Sequence, residues 1–338
     1  MRIRSHSPLL ILAMSCGVFL AAFAASLAFG ARSIPVATLW QALTAFDPGD
    51  PLHGVLRGLR LQRALSGAIC GAALAGAGVI MQGLTRNPLA DPGLMGVNAG
   101  AALAVVAVLW SFGPQDVPAI ALAAIIGAGL SAAAVWALAG GQEASDNRAL
   151  TIRLPLAGTA ISSLCLSMVA AVVLLNTETR DLYRFWMVGS LGQATFDTLT
   201  RLLPVFAAGV ALALAAARGL DALALGHDVA AGLGARPARA AAAALLAVTL
   251  LSGGSVALAG PLGFVGLIIP HLVRGLTGSA TGLTLVAALP LGAAMVLACD
   301  TLGRVAARPS EIAIGLVLAV IGGPAFMVLL SRVLRPAT

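Results

Sequence analysis

Lysine is absent from this chain, and all 20 of its basic residues are arginine. A nucleotide-binding P-loop reaches the phosphates with a lysine. The chain therefore has no such loop, and if transport here is driven by ATP, another polypeptide must bind the ATP. Charge of either sign is also scarce, at 10% of 338 residues, where a soluble domain carries roughly 25%. With 59% apolar residues and a mean hydropathy of +0.99, too little polar surface remains to cover a water-soluble globule. The apolar runs hold almost no carboxylate, and Asp300 falls at the edge of one. Ion-coupled carriers place ionisable groups near the bilayer midplane, so this scarcity argues against ion coupling. The four histidines, His6, His53, His227 and His271, show no metal-ligand spacing, and an intramembrane enzyme would need convergent acids, bases or a nucleophile. Cys16, Cys70, Cys165 and Cys299 lie in or beside apolar runs without CxxC or Cys/His spacing. They read as small buried hydrophobes, with neither a disulfide framework nor a metal site. The net charge of +7 comes from arginines scattered between hydrophobic runs, which suits membrane flanks and not nucleic acid.

What is present is a series of runs near the length of about 20 residues that a bilayer core demands. Ten are read, at 9–30, 61–82, 93–112, 117–140, 154–175, 198–217, 239–260, 262–276, 281–300 and 312–332. The fold class is an all-α polytopic membrane protein, one transmembrane domain over residues 1–338. The first run exceeds a signal-peptide core and is read as a retained helix. Run 262–276 is short and holds Pro270, His271 and Arg274, so it is expected inside the bundle. With the N-terminus inside, eleven arginines fall on the cytoplasmic side and nine outside, a weak orientation signal.

Three connections exceed simple turns. Residues 31–57 and 176–197 read as outer interfacial segments, the second with Tyr183, Phe185 and Trp186 as a lid or short helix. Residues 218–238 read as a loop with a short helix closed by Gly234, either a docking element or an inert connector. Between the second and third runs lies QGLTRNPLADPGLMGVNAG, a polar, proline-braced insert in greasy sequence. Thr159, Ser162, Ser163 and Ser167 place hydroxyls on neighbouring turns of the fifth run. They fit helix packing, and as a set they also fit a wall that a polar cargo slides past. SGAICGAALAGAG at 66–78 is faintly echoed by SGGSVALAGPLG from residue 252, a hint of related halves.

Four longer motifs are more specific: RLQRALSGAICGAALAGAGVIMQGLTRNPLADPGLMGVNAGAAL, LALGHDVAAGLGARPAR, VALAGPLGFVGLIIPHLVRGLTG and DTLGRVAARPSEIAIGLVLAVIGGPAFMVLL. In order and spacing they resemble the FecCD family, permeases of ABC importers for iron-siderophores, haem and vitamin B12. The resemblance implies the type II importer fold, with ten transmembrane helices and both termini cytoplasmic. It implies a homodimer in the bacterial inner membrane, with two ATP-binding cassette subunits and a periplasmic or lipid-anchored binding protein.

The same resemblance implies site residues. Arg60 and Arg63 match the family's outer RLPR arginines, with Gln62 replacing the proline, and Arg304 matches the arginine after the ninth helix. All three are expected to dock the acidic binding protein. Leu225, Gly226, His227, Asp228, Val229, Ala230, Ala231, Gly232, Leu233 and Gly234 correspond to the coupling helix seated on the ATPase. Asn87 and Leu89 match the cytoplasmic gate, joined by Thr151 before the fifth helix. LTRNPLADPGLMGVNAGA and RFWMVGSLG look closest to ferric catecholate siderophore permeases. Cargo is expected in the order ferric siderophore, haem, cobalamin, and an ion-coupled secondary transporter is the rival from another class. GSATG after the PHLVR segment departs from the family's acidic-His-Arg run.

Overall fold

A computed structural model describes residues 7–30, 35–140, 147–226, 230, 232, 236–278 and 280–333. The described chain is helical throughout: α1 (Pro8–Ala28), α2 (Val36–Thr44), α3 (Pro51–Thr85), α4 (Val97–Phe112), α5 (Val117–Leu138), α6 (Asn147–Leu175), α7 (Thr177–Met187), α8 (Phe196–Ala224), α9 (Pro237–Ala259), α10 (Val265–Thr277), α11 (Thr281–Ala306) and α12 (Ile314–Val333). Eight of these are long and apolar enough to cross a membrane, and α4 and α10 are shorter apolar helices. Together they correspond one for one to the ten expected runs.

Small residues dictate the packing. α3 is the most buried span, followed by α9, and α3 touches α8, α9, α10 and α11. Lipid supplies no hydrophobic drive between helices, so close van der Waals approach must hold them. A Cβ on Gly71 would overlap the carbonyl oxygen of Gly292 in α11, and a Cβ on Gly292 would overlap that of Gly71. Gly78 meets the Gly266 carbonyl of α10 in the same way. The sequence echo falls on α3 and α9, where deep burial asks for the same Ala/Gly composition. Gly78→Ala is expected to force α3 and α10 apart and cost about 1–3 kcal/mol, read as a lower Tm of the purified permease.

As expected, α10 sits inside the bundle, with Val265 through Pro270 buried. Interior prolines occur in α6, α8, α10, α11 and α12, where neighbouring helices can satisfy the freed carbonyls. The outer spans α1, α6 and α12 expose most of their apolar surface. Cys16 is exposed on α1, contrary to the expected burial, whereas Cys70, Cys165 and Cys299 are buried.

Several boundaries differ from the sequence reading. α3 begins ten residues before the expected 61: Asp50 caps it by accepting from Leu52 N at 2.8 Å, Pro51 opens the first turn, and Val55–Arg60 is π-helical. α8 continues through Ala224, so 218–224 belong to a helix and not to the expected loop. α11 continues to Ala306, which places Asp300 within the helix and not at its edge. Segment 176–197 forms α7 as expected, capped by Asn176, which accepts from Thr179 N at 2.9 Å.

Candidate functional site

At one end of the bundle, α1 stops with its last carbonyls lacking intrahelical donors, as every helix does. Two arginines from other helices supply them. Arg60 Nη1 donates to Leu27 O at 2.7 Å and Ala28 O at 3.0 Å. Arg304 Nη2 donates to Ser26 O at 3.1 Å, Ser26 Oγ at 2.9 Å and Thr301 Oγ1 at 3.2 Å. Gly30 leaves them room, since a Cβ there would lie 3.2 Å from both guanidinium groups.

Asp300 organises the rest. Its Oδ1 accepts from Arg63 Nη2 at 2.8 Å and its Oδ2 from Arg63 Nε at 3.1 Å, a forked geometry that suits guanidinium and carboxylate. Its Oδ2 lies 3.0 Å from Arg304 Nε, one helical turn on. Arg63 Nη1 then reaches Glu311 Oε2 at 2.6 Å, on the connection between α11 and α12. Beside the cluster lies a cavity of about 400 Å³ lined by Arg60, Gln62, Arg63, Leu191, Arg304 and Glu311. Gln62 donates to Ala194 O. The structure thus brings Arg60, Arg63 and Arg304 together. Arg60 and Arg304 are turned inward at 8% and 3% exposure, and Arg63, with 15% of its side chain exposed, is the most accessible of the three.

At the opposite end, the polar insert is a braced turn. Arg86 ends α3 in the left-handed region at φ 50°. Asn87 Oδ1 accepts from Leu89 N at 2.9 Å, and Ala90 N donates to Asn87 O at 3.1 Å. Asp91 Oδ1 repeats the device on Gly93 N at 2.7 Å, and Pro92 opens a short 3-10 turn before α4. Burial pushes the Asp91 carboxyl pKa up, and the Gly93 N–H works against that shift. Asn87 is exposed and Leu89 half-buried. Asn and Asp favour such side-chain-to-backbone turns, and both residues brace the insert in this way.

This turn is tied to the neighbouring end of α8, because Arg86 Nη2 donates to Leu223 O. Asp221 Oδ1 accepts from Thr281 N at 2.9 Å, joining α8 to the start of α11. Leu225 and Gly226 form the turn that closes α8, with Leu225 exposed. They are therefore not the first residues of the expected helix. Ala230 is buried and helical, donating to Gly226 O at 3.0 Å, and Gly232 is helical and exposed. His227, Asp228, Val229, Ala231, Leu233 and Gly234 lie outside the described residues, and so does the Thr151 side chain, although Thr151 is within α6.

Between the two ends, α6 presents Thr159, Ser163 and Ser167 on one exposed stripe at intervals of four, with Ser162 half-buried beside it. Thr159 Oγ1 donates to Leu156 O at 2.9 Å, and Ser167 Oγ donates to Ser163 O at 2.8 Å. Hydroxyls bonded to their own helix leave an apolar-compatible yet polarisable wall. Sequence reading missed Glu311 and Ser26 at the arginine end. The only available signal was the carboxylate in RPSEIAIG, directly after the RVAARP arginines.

A profile of the FecCD transport family matches residues 18–332. The ferric enterobactin transport system permease protein of Escherichia coli is 40% identical over 318 residues, 93% of this chain and 92% of that protein. The hemin transport system permease protein of Yersinia pestis is 36% identical, covering 90% of each chain. A solved chain, described as an inward-facing conformation of a transporter of the metal-chelate ABC type, superposes with a TM-score of 0.83 at 27% identity. It covers 96% of this chain and 100% of its own. Profile, relatives and architecture agree: the chain belongs to the FecCD transport family.

Proposed function

We propose that this chain is the permease subunit of an ATP-driven importer that moves a ferric siderophore across the bacterial inner membrane. The observation that carries the reading is the 40% identity, over nearly the whole length, to the ferric enterobactin permease. Two copies would form the pathway on their common axis, two ATPase subunits would hold ATP and Mg, and a separate binding protein would deliver the chelate. The arginine end is then external: Arg63, backed by Arg60 and Arg304, meets acidic groups of the binding protein. The braced turn is cytoplasmic, and Asn87 and Leu89 face their symmetry mates as a gate, with Thr151 beside them. The segment from Leu225 to Gly234 seats on the ATPase. The α6 stripe of Thr159, Ser163 and Ser167, with Ser162, lines the route.

Alternating access follows from that placement. A loaded binding protein docks outside, ATP draws the ATPase pair together, and the motion reaches the gate through the end of α8. Haem is the second reading, supported by the relative in Yersinia pestis, and cobalamin is the third. The higher identity to the ferric enterobactin permease favours the siderophore. The reconstituted complex in proteoliposomes is expected to take up ferric enterobactin only when ATP and loaded binding protein are both present. Uptake driven by a proton or sodium gradient alone would make the chain a secondary carrier instead.

A further inference from the structure

The arginine cluster has one negotiable contact. Arg60 and Arg304 are committed to the α1 carbonyls, and Asp300, 1% exposed, holds Arg63 and Arg304 inside the bundle. Moving any of these uncaps α1 or strands a buried charge. The Arg63–Glu311 pair differs, because the Glu311 side chain is 41% exposed and sits on the short connection between α11 and α12. That connection is fastened nearby through Ile312 N to Gly303 O at 3.1 Å, so release of the Glu311 side chain would not require the backbone there to move. Three arginines against two carboxylates give the cluster a formal charge of +1, and withdrawing Glu311 makes it +2 at the mouth of the cavity.

We propose that Glu311 is an internal stand-in for the docking partner's acidic side chain, holding Arg63 Nη1 in the free permease and yielding it on docking. The proposal rests on the docking reading above. One carboxylate is exchanged for another at Arg63 Nη1, while Asp300 keeps its hold on Nε and Nη2. The exchange also sets specificity: a partner lacking a carboxylate at that point cannot displace Glu311. It further sets the affinity, since every docking event begins by breaking an existing ion pair.

Binding of the chelate-loaded binding protein to the complete transporter in nanodiscs tests this. Glu311→Gln keeps the shape and removes the charge, and it is expected to tighten binding about threefold to fivefold, the scale of an exposed ion pair. In an Arg63→Gln background, which itself weakens binding, Glu311→Gln should have no effect. Asp197→Asn, which neutralises an exposed carboxylate paired with Arg201, should leave affinity unchanged. Unchanged or weaker binding by both Glu311→Gln and Glu311→Ala, with Arg63→Gln still weakening it, overturns the proposal and spares the docking reading. Tightening that persists without Arg63 also overturns it, as a general charge effect. If Arg63→Gln leaves affinity untouched, the docking reading fails and takes the proposal with it.

Discussion

Asp300→Ala is expected to destabilise the permease by about 3–5 kcal/mol, the cost of breaking a buried ion pair by removing one partner. Asp300 is 1% exposed and lies between Arg63 Nη2 at 2.8 Å and Arg304 Nε at 3.0 Å. Its loss leaves two guanidinium groups facing each other with no buried anion. Arg304 would then be pulled from Ser26, and the end of α1 would lose a cap as well. The effect should appear as a large drop in Tm in detergent and as little folded protein in membranes. Asp300→Asn retains hydrogen-bonding atoms without charge and should fall between the two. A Tm within a degree of the parent for Asp300→Ala would mean that Arg63 and Arg304 are satisfied by solvent, and that the cluster stabilises nothing.

The same cluster shows where sequence reading stops. Hydropathy located all ten apolar helices, including the short α10, because the bilayer imposes length and composition on each run separately. Helix ends were harder. A run of apolar residues is taken to end at the first charges, so α11 was cut at Asp300 and α8 near Arg218. In the folded chain Asp300 and Asp221, which follow these cuts, are matched by distant partners: Arg63 for Asp300, 237 residues away, and Thr281 N for Asp221, 60 residues away. No local pattern encodes such a match. The Asp50–Pro51 start of α3 was legible, since an N-cap acid followed by proline is a helix signal, but it lies outside the apolar window. At the sites, the resemblance supplied residue types and positions but not side-chain directions. It picked out Arg60 and Arg304, which the fold brings together at one end of the bundle, but not their inward turn onto α1. The turn at 86–96 was the most legible feature, because Asn87, Pro88, Asp91 and Pro92 build their constraints from neighbours within a few residues.

Arg86→Gly is expected to lower ATP-driven uptake about tenfold, leaving the ATPase rate and the Tm near their parent values. The choice of glycine separates two roles of this residue. Arg86 ends α3 at φ 50°, a conformation that glycine adopts more readily than arginine, so the backbone of the turn is preserved or relaxed. What is lost is the guanidinium contact to Leu223 O. On the proposed reading, α8 leads directly into the segment seated on the ATPase, and the turn holding Asn87 and Leu89 is the gate. The Arg86 contact is then a physical link between the two. Coupling between sites is typically about 1–3 kcal/mol, or 5–150-fold, and a tenfold loss of uptake per ATP lies inside that range. The informative quantity is the ratio of chelate imported to ATP hydrolysed, measured in the same proteoliposomes. A lower ratio at constant ATPase rate identifies Arg86 as a positioning residue that carries motion to the gate. Equal falls in uptake and hydrolysis would place the defect in ATPase docking, and uptake and hydrolysis both at their parent values would show that the gate follows α8 without this tether.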